Sequence, residues 1–155
     1  MLNRKTDENK IINSKEQIET TEKQNSINSI EKVKERNEFY TVMACVNKYL
    51  NYLYAKDINS LYGCLDKSYI EQNNITTNNI LQKIKELDNS KIFKPQEMYK
   101  QKITENVTQY FAHGIIIDDL IEEQEEVKKE DFYVSIKIDS SLETFSVLPD
   151  IYINQ

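Results

Sequence analysis

The sequence predicts one α+β domain in which helices come first and an antiparallel sheet follows. In the first half of the chain, apolar residues recur at the spacing of an α-helix. In the second half, they alternate with polar residues as in a half-buried strand. The length of 155 residues suits a single domain. Helices that are separated in sequence from strands are typical of α+β folds with an antiparallel sheet.

The N-terminal residues 1–36 are predicted to form a flexible polar arm, and residues 37–155 the folded domain. Through Glu38 the chain carries eight Lys or Arg and eight Asp or Glu, so the arm is nearly neutral. Its few apolar residues follow no sustained period and bury too little surface to hold a helix firmly. The alternative is a helix that folds when it binds a partner.

The strongest helical pattern begins at Phe39. One apolar stripe predicts an amphipathic helix of about five turns that runs to roughly Lys56. The residues of this stripe are Phe39, Val42, Met43, Val46, Tyr49, Leu50 and Leu53.

Two shorter helices are expected next. Asn59 or Ser60 would cap the first, which turns Leu61, Tyr62, Leu65 and Tyr69 inward. Thr76 would cap the second, where Ile75 can pack on Ile80 as a hydrophobic staple, and Ile84 and Leu87 continue its buried face.

Four strands are expected in the second half, at about 97–104, 107–117, 132–138 and 142–148. In the second of these, we assign the odd positions, which include Phe111, His113 and Ile115, to the face that the helices cover. Asp139-Ser140-Ser141 is typical of a tight turn.

Several segments resemble the nuclear transport factor 2-like (cystatin-like cone) superfamily, namely Phe39 to Leu53, Leu61-Tyr62-Gly63-Cys64-Leu65-Asp66 and Asp131-Phe132-Tyr133-Val134. Residues 37–150 are similar to uncharacterised clostridial proteins with this domain. The resemblance implies a curved sheet that wraps the long helix as a cone. It also implies pairing of two copies through the sheet face, and it brings no catalytic motif to any position.

The net charge of −6 disfavours a duplex nucleic-acid binder, which usually needs a basic face. No apolar run approaches the length that spans a bilayer, so we expect a soluble chain, in the cytoplasm or outside it. Cys45 and Cys64 can form a disulfide if two packed helices bring them together, but two free thiols are the favoured interpretation.

His113 is the one histidine of the chain and the candidate for a general base. Enzymes of the resembled superfamily use a His or a carboxylate in the cone, often assisted by Tyr. Such chemistry needs a second group within hydrogen-bonding reach, and the central part of this strand face offers no Asp or Glu. A structural role is therefore favoured over a catalytic one.

Tyr69 and Tyr110 are the candidate pocket residues, in a cleft near His113 at the open end of the cone. Tyrosines at the margin of the core are the simpler interpretation. The acidic segment from Asp118 to Asp131 lacks the glycine and the alternating acidic spacing of a calcium loop. We therefore expect no metal and no cofactor.

The sequence thus predicts a non-enzymatic binding or assembly module that pairs through its sheet. The alternative is a small lyase or isomerase that uses the cone cavity with His113 as base. A third possibility is an accessory domain anchored outside the cell.

Overall fold

The sheet is a five-stranded antiparallel meander in which neighbours in sequence are neighbours in space. The computed structural model describes residues 29–88, 90–118 and 129–153. In chain order the strands are β1 (Ile30–Lys32), β2 (Lys91–Lys102), β3 (Val107–Asp118), β4 (Glu130–Asp139) and β5 (Thr144–Pro149). The predicted α+β class with an antiparallel sheet is confirmed.

Four helices lie between β1 and β2: α1 (Arg36–Ala55), α2 (Ile58–Cys64), α3 (Lys67–Gln72) and α4 (Ile80–Lys83). The long helix α1 confirms the strongest sequence pattern, since every residue of the predicted stripe is buried except Phe39, which is partly buried. It ends at Ala55, and the next residue, Lys56, caps it in a left-handed backbone conformation.

The helix that was expected to begin at Asn59 or Ser60 and to include Tyr69 is divided into two helices, α2 and α3. Asp57 caps α2 by accepting a hydrogen bond from the Ser60 N–H, and Asp66 caps α3 by bonding the N–H groups of Ser68 and Tyr69. The chain is extended at Leu65, which forms a parallel bridge to Val147 of β5. The single-helix prediction is wrong because Leu65 and Asp66 pair with the edge of the sheet.

The third predicted helix is shorter than expected. Thr76 and Asn79 exchange side-chain to backbone hydrogen bonds, which satisfy two donors ahead of α4. The helix ends at Lys83, yet Ile84 and Leu87 are still buried as the apolar pattern predicted.

The folded part begins earlier than residue 37. β1 pairs with Tyr99–Gln101 of β2. The next residue, Val33, is buried, and its N–H donates a hydrogen bond to the Met98 carbonyl. Residues 30–33, which the sequence assigned to the arm, therefore contact the sheet, because a short strand needs few apolar side chains when β2 supplies its hydrogen bonds. Residues 1–28 of the predicted arm lie outside the described residues.

The helices cover one face of the sheet, which we call the inner face. Apolar side chains of β3 and β4 meet the α1 stripe there, and several are completely buried, for example Val134 and Ile136. The opposite, outer face carries the alternate residues of each strand. From β2 to β5 these include Lys94, Glu97, Tyr99, Gln101, Val107, Gln109, Phe111, His113, Ile115, Asp131, Tyr133, Ser135, Lys137, Asp139, Ser146 and Leu148.

An irregularity between Pro95 and Glu97 changes the alternation along β2. Phe93 lies on the inner face, where its ring packs against Phe132, whereas Glu97 lies on the outer face beside His113. The Phe93 ring also passes directly over Gly114, where an added Cβ would lie 2.3 Å from a ring carbon and 2.5 Å from the Lys94 carbonyl oxygen. Residue 114 must therefore be glycine for β2 and β3 to pack in this way.

Within the described ranges, α1 to α4 include no segment with both the length and the apolar character that crossing a bilayer requires.

Candidate functional site

His113 lies on the outer face of the sheet, away from the helices. Its neighbours on β3, Tyr110 and Ala112, belong to the core, and His113 points to the other side. The assignment of odd positions of β3 to the helix-covered face is therefore wrong. The physical reason is that both faces of this strand are covered, so Phe111 is only 5% exposed although it does not face the helices.

Two carboxylates flank the His113 ring. Its Nε2 lies 2.9 Å from Oδ1 of Asp131 on β4, and its Nδ1 lies 3.3 Å from Oε1 of Glu97 on β2. The ring stacks on Tyr133 with 4.7 Å between the centroids and 16° between the planes. The imidazole is thus fixed in orientation, and both of its nitrogens have a partner.

The C-terminal segment covers this cluster. After β5 the chain turns at Asp150, and the Tyr152 hydroxyl donates a hydrogen bond of 3.1 Å to Oε1 of Glu97. The Tyr152 ring contacts Tyr133 and His113 at centroid distances of 4.9 and 5.9 Å. Burial, and next the adjacent Glu97 carboxylate, raise the pKa of Tyr152, so its phenol stays protonated and acts as a donor.

Sequence reasoning missed Glu97, Asp131 and Tyr152 as partners of His113. The first two come from neighbouring strands, and the cross-strand register decides whether they meet His113. The register of β2 in turn depends on the irregularity after Pro95. The pairing of Asp131 follows from the alternation of β4 once its register is known, whereas Tyr152 lies outside any periodic pattern.

Tyr110 lies on the inner face, at the N-terminal end of α1. Its hydroxyl donates a 2.8 Å hydrogen bond to Oε2 of Glu38, and Lys100 Nζ lies 2.9 Å from Oε1 of the same carboxylate. Burial, followed by the charge and hydrogen bond of Glu38, raises the pKa of Tyr110. The three side chains satisfy one another and fasten the start of α1 to β2 and β3.

Tyr69 is buried on α3, close to Tyr49, whose raised pKa comes from burial and, to a smaller extent, from Cys64 and Tyr69. Burial also raises the pKa of Tyr69 itself. The structure therefore does not bring Tyr69, Tyr110 and His113 into one cleft, because Tyr110 and His113 are on opposite faces of the sheet.

Three grooves among the described residues lie elsewhere. One of about 230 Å³ is lined by Asp66 and by residues of β3, β4 and β5, and one of about 470 Å³ lies between the middle of α1 and the start of β2. A third, of about 460 Å³, lies along α2 and α3. His113, Tyr69 and Tyr110 line none of these three grooves.

Asp66, which lines the first of these grooves, joins α3 to the sheet through its side chain. Its Oδ2 accepts from the Ser146 hydroxyl at 3.1 Å and lies 3.5 Å from Lys137 Nζ. Burial alone would raise the pKa of Asp66, but the hydrogen bonds from Ser68 and Ser146 and the charge of Lys137 lower it overall. The carboxylate thus joins the α3 cap to the β4–β5 edge.

The described residues contain no cluster of three or more His, Cys, Asp or Glu side chains suited to a metal ion. Of the acidic segment, residues 119–128 lie outside the described residues. Cys45 and Cys64 are free thiols, and burial raises the pKa of Cys64 to about 11.

Comparison with known proteins finds no matching family model, and neither a curated protein nor a solved structure is significantly similar to the chain.

Proposed function

We propose that the protein is a non-enzymatic binding or assembly module of the nuclear transport factor 2-like type, and that two copies associate through the outer faces of their sheets. The packing of the inner face carries this proposal. Val42 and Val46 of α1 and Val134 and Ile136 of β4 are all completely buried, so apolar side chains occupy the space that a cone enzyme would use for its substrate.

The outer face has the composition of an interface. Its centre holds Tyr99 and Tyr133, both partly exposed, beside Phe111, which Tyr152 covers, and tyrosine is enriched where protein surfaces pair. Amide and hydroxyl groups surround them and are partly bonded to each other, as between Gln109 Nε2 and Ser135 Oγ at 2.8 Å.

The charges at the two ends of β4 favour a second copy as the partner. On the outer face, Asp131 lies near the start of β4 and Lys137 near its end, whereas Lys32 lies beside Tyr99 in the central row. Asp131 and Lys137 are six residues apart, which is about 20 Å along a strand. A two-fold axis perpendicular to the strands would place Asp131 of one copy near Lys137 of the other.

The alternative, a small lyase or isomerase with His113 as base, has one supporting observation, the carboxylate that orients the imidazole at 2.9 Å. It is less supported because the second nitrogen bonds Glu97, and because Tyr152 covers the ring. Proton abstraction would require Tyr152 and one carboxylate to move away from His113.

Sedimentation velocity across a concentration series tests the proposal. We expect the wild type to form a dimer, and Tyr99→Glu to shift the dimer dissociation constant upward by at least about tenfold, because it places a charge in the centre of the face. The matched control is Tyr40→Glu, since Tyr40 is exposed on α1, away from the sheet. A wild type that stays monomeric, or equal effects of the two variants, would contradict the proposal.

A further inference from the structure

The C-terminal segment Asp150–Ile153, which we call the strap, is held against the outer face largely by one side chain. At Asp150 the backbone adopts the left-handed conformation, with φ of 59°, and its N–H donates to the Tyr133 carbonyl at 3.2 Å. Among the backbone hydrogen bonds of the described residues, this is the one that joins the strap to the sheet. Beyond Asp150 the strap crosses the strands and depends on side-chain contacts.

Tyr152 is the anchor of the strap. Its ring lies over an aromatic surface with a polar end, which we call the platform and define by Glu97, Phe111, His113 and Tyr133. Phe111 meets the Tyr152 ring edge-on at 6.4 Å and 90°, and Glu97 accepts the phenolic hydrogen. Edge-to-face packing and a charge-assisted hydrogen bond together select a tyrosine over an aliphatic or a phenylalanine side chain.

The strap also begins at a hinge under strain. A non-glycine residue in the left-handed region costs about 1 kcal/mol relative to the ordinary conformations, although Asp tolerates it better than most. An extended hinge at Asp150 would relieve that strain and direct the strap away from its own platform. In a face-to-face dimer, the nearest equivalent platform is that of the second copy.

Resting on the proposed assembly through the outer face, we infer that the platform is a recognition site for a tyrosine presented by an extended segment, and that Tyr152 of a second copy occupies it in the dimer. The two copies then exchange straps reciprocally, which replaces each intrachain contact of Tyr152 by the same contact between the two chains. The intrachain strap described here is the closed form of the same interaction.

A mixing experiment with full-length variants tests the exchange. Tyr152→Ala removes the anchor and leaves the platform, whereas Tyr133→Ala removes a platform ring and leaves the anchor. Neither variant alone can form the complete contact. In the mixture, Tyr152 of one variant can occupy the platform of the other, so we expect about tenfold more dimer than in either sample alone at equal total concentration.

The matched control mixes Tyr152→Ala with a double variant that carries both substitutions. This pair has the same platform change but no anchor, so its dimer content should stay at the level of the separate samples. Native mass spectrometry distinguishes mixed from homotypic dimers when one variant carries a mass label. If the first mixture contains no more mixed dimer than the control, the exchange is overturned.

A second measurement uses only the wild type and so does not depend on how the variants fold. A peptide of sequence PDIYINQ, which copies residues 149–155, should compete for the platform and shift the wild-type dimer toward monomer. The same peptide with Phe in place of Tyr should need severalfold higher concentration. A wild-type dimer that Tyr99→Glu disrupts but neither the peptide nor the mixing experiment affects would overturn the exchange and leave the proposed function standing.

Discussion

The two faces of the sheet use the same strands for different purposes. On the inner face, β4 contributes Val134 and Ile136, which are completely buried against the helices. On the outer face, the same strand contributes Asp131 and Tyr133, which contact His113 and remain partly exposed. The inner face therefore supplies apolar packing, and the outer face carries polar and aromatic contacts around His113.

Each face also contains a tyrosine that donates to a glutamate, and the two pairs differ in their surroundings. Tyr110 and Glu38 on the inner face are joined by Lys100, and these three side chains link helix to sheet. Tyr152 and Glu97 on the outer face are joined by His113, and they hold a terminal segment. The first pair holds the start of α1 on the sheet, whereas the second holds the strap on the outer face.

The largest effect is expected from removing packing on the inner face. Ile136→Ala should lower the free energy of unfolding by about 2–5 kcal/mol, because it leaves a cavity under α1. Ile115→Ala makes the same change on the half-buried outer face and should cost about 1 kcal/mol. Urea unfolding followed by circular dichroism measures both values. Equal losses would contradict the assignment of the two faces.

Substitution of Gly114 tests how closely β2 and β3 pack on the inner face. Gly114→Ala should cost about 1–3 kcal/mol, because its Cβ would overlap the Phe93 ring and the Lys94 carbonyl oxygen. Gly63→Ala is the matched control, since it lies in α2 with open space around the new Cβ and should stabilise by about 0.5–1 kcal/mol. Thermal unfolding reports both, and a neutral Gly114→Ala would mean that the strands have room to move apart.

The smallest changes in stability are expected from removing the hydroxyl of Tyr110 or of Tyr152. The pKa of Tyr110 and of Tyr152 is raised on folding, so the stabilisation from each is complete below the unfolded pKa of ~10 and is lost as the pH rises above it. At neutral pH, Tyr110→Phe should cost about 1 kcal/mol. Tyr152→Phe should cost less, because the half-exposed Glu97 regains water.

Urea titrations between pH 8 and 11 measure this pH dependence. Each Phe variant should lose less stability than the wild type over that range, because it lacks a phenol whose pKa is raised on folding. Tyr62→Phe, a half-buried tyrosine on α2, serves as the control for the substitution itself. A wild type and a Tyr110→Phe variant with parallel pH profiles would contradict the raised pKa of Tyr110.

The sequence predicted what depends on local periodicity. The α1 stripe and the existence of β3 and β4 follow from apolar spacing, and the buried positions of α1 were predicted one by one. It could not predict which face of β3 the helices cover, because Phe111 and Ile115 make the outer face look as apolar as the inner. The difference comes from a tertiary event, the crossing of Tyr152 over Phe111.

The candidate site was predicted only through His113. Its partners depend on cross-strand register and on a one-residue irregularity after Pro95, and neither leaves a signal in the alternation of a single strand. The splitting of the second helix was missed for a similar reason, since Leu65 leaves the helix to pair with β5.

The two edges of the sheet determine how easily a strand of another molecule can pair with this chain. β1 pairs only with Tyr99–Gln101, and the remaining length of β2 contains Pro95, which lacks an N–H, and a break in register. At the opposite border, Leu65 and Asp66 occupy the free side of Val147. Within the described part of the chain, a further strand from another molecule therefore meets a poor template on either side of the sheet, which disfavours open-ended fibres.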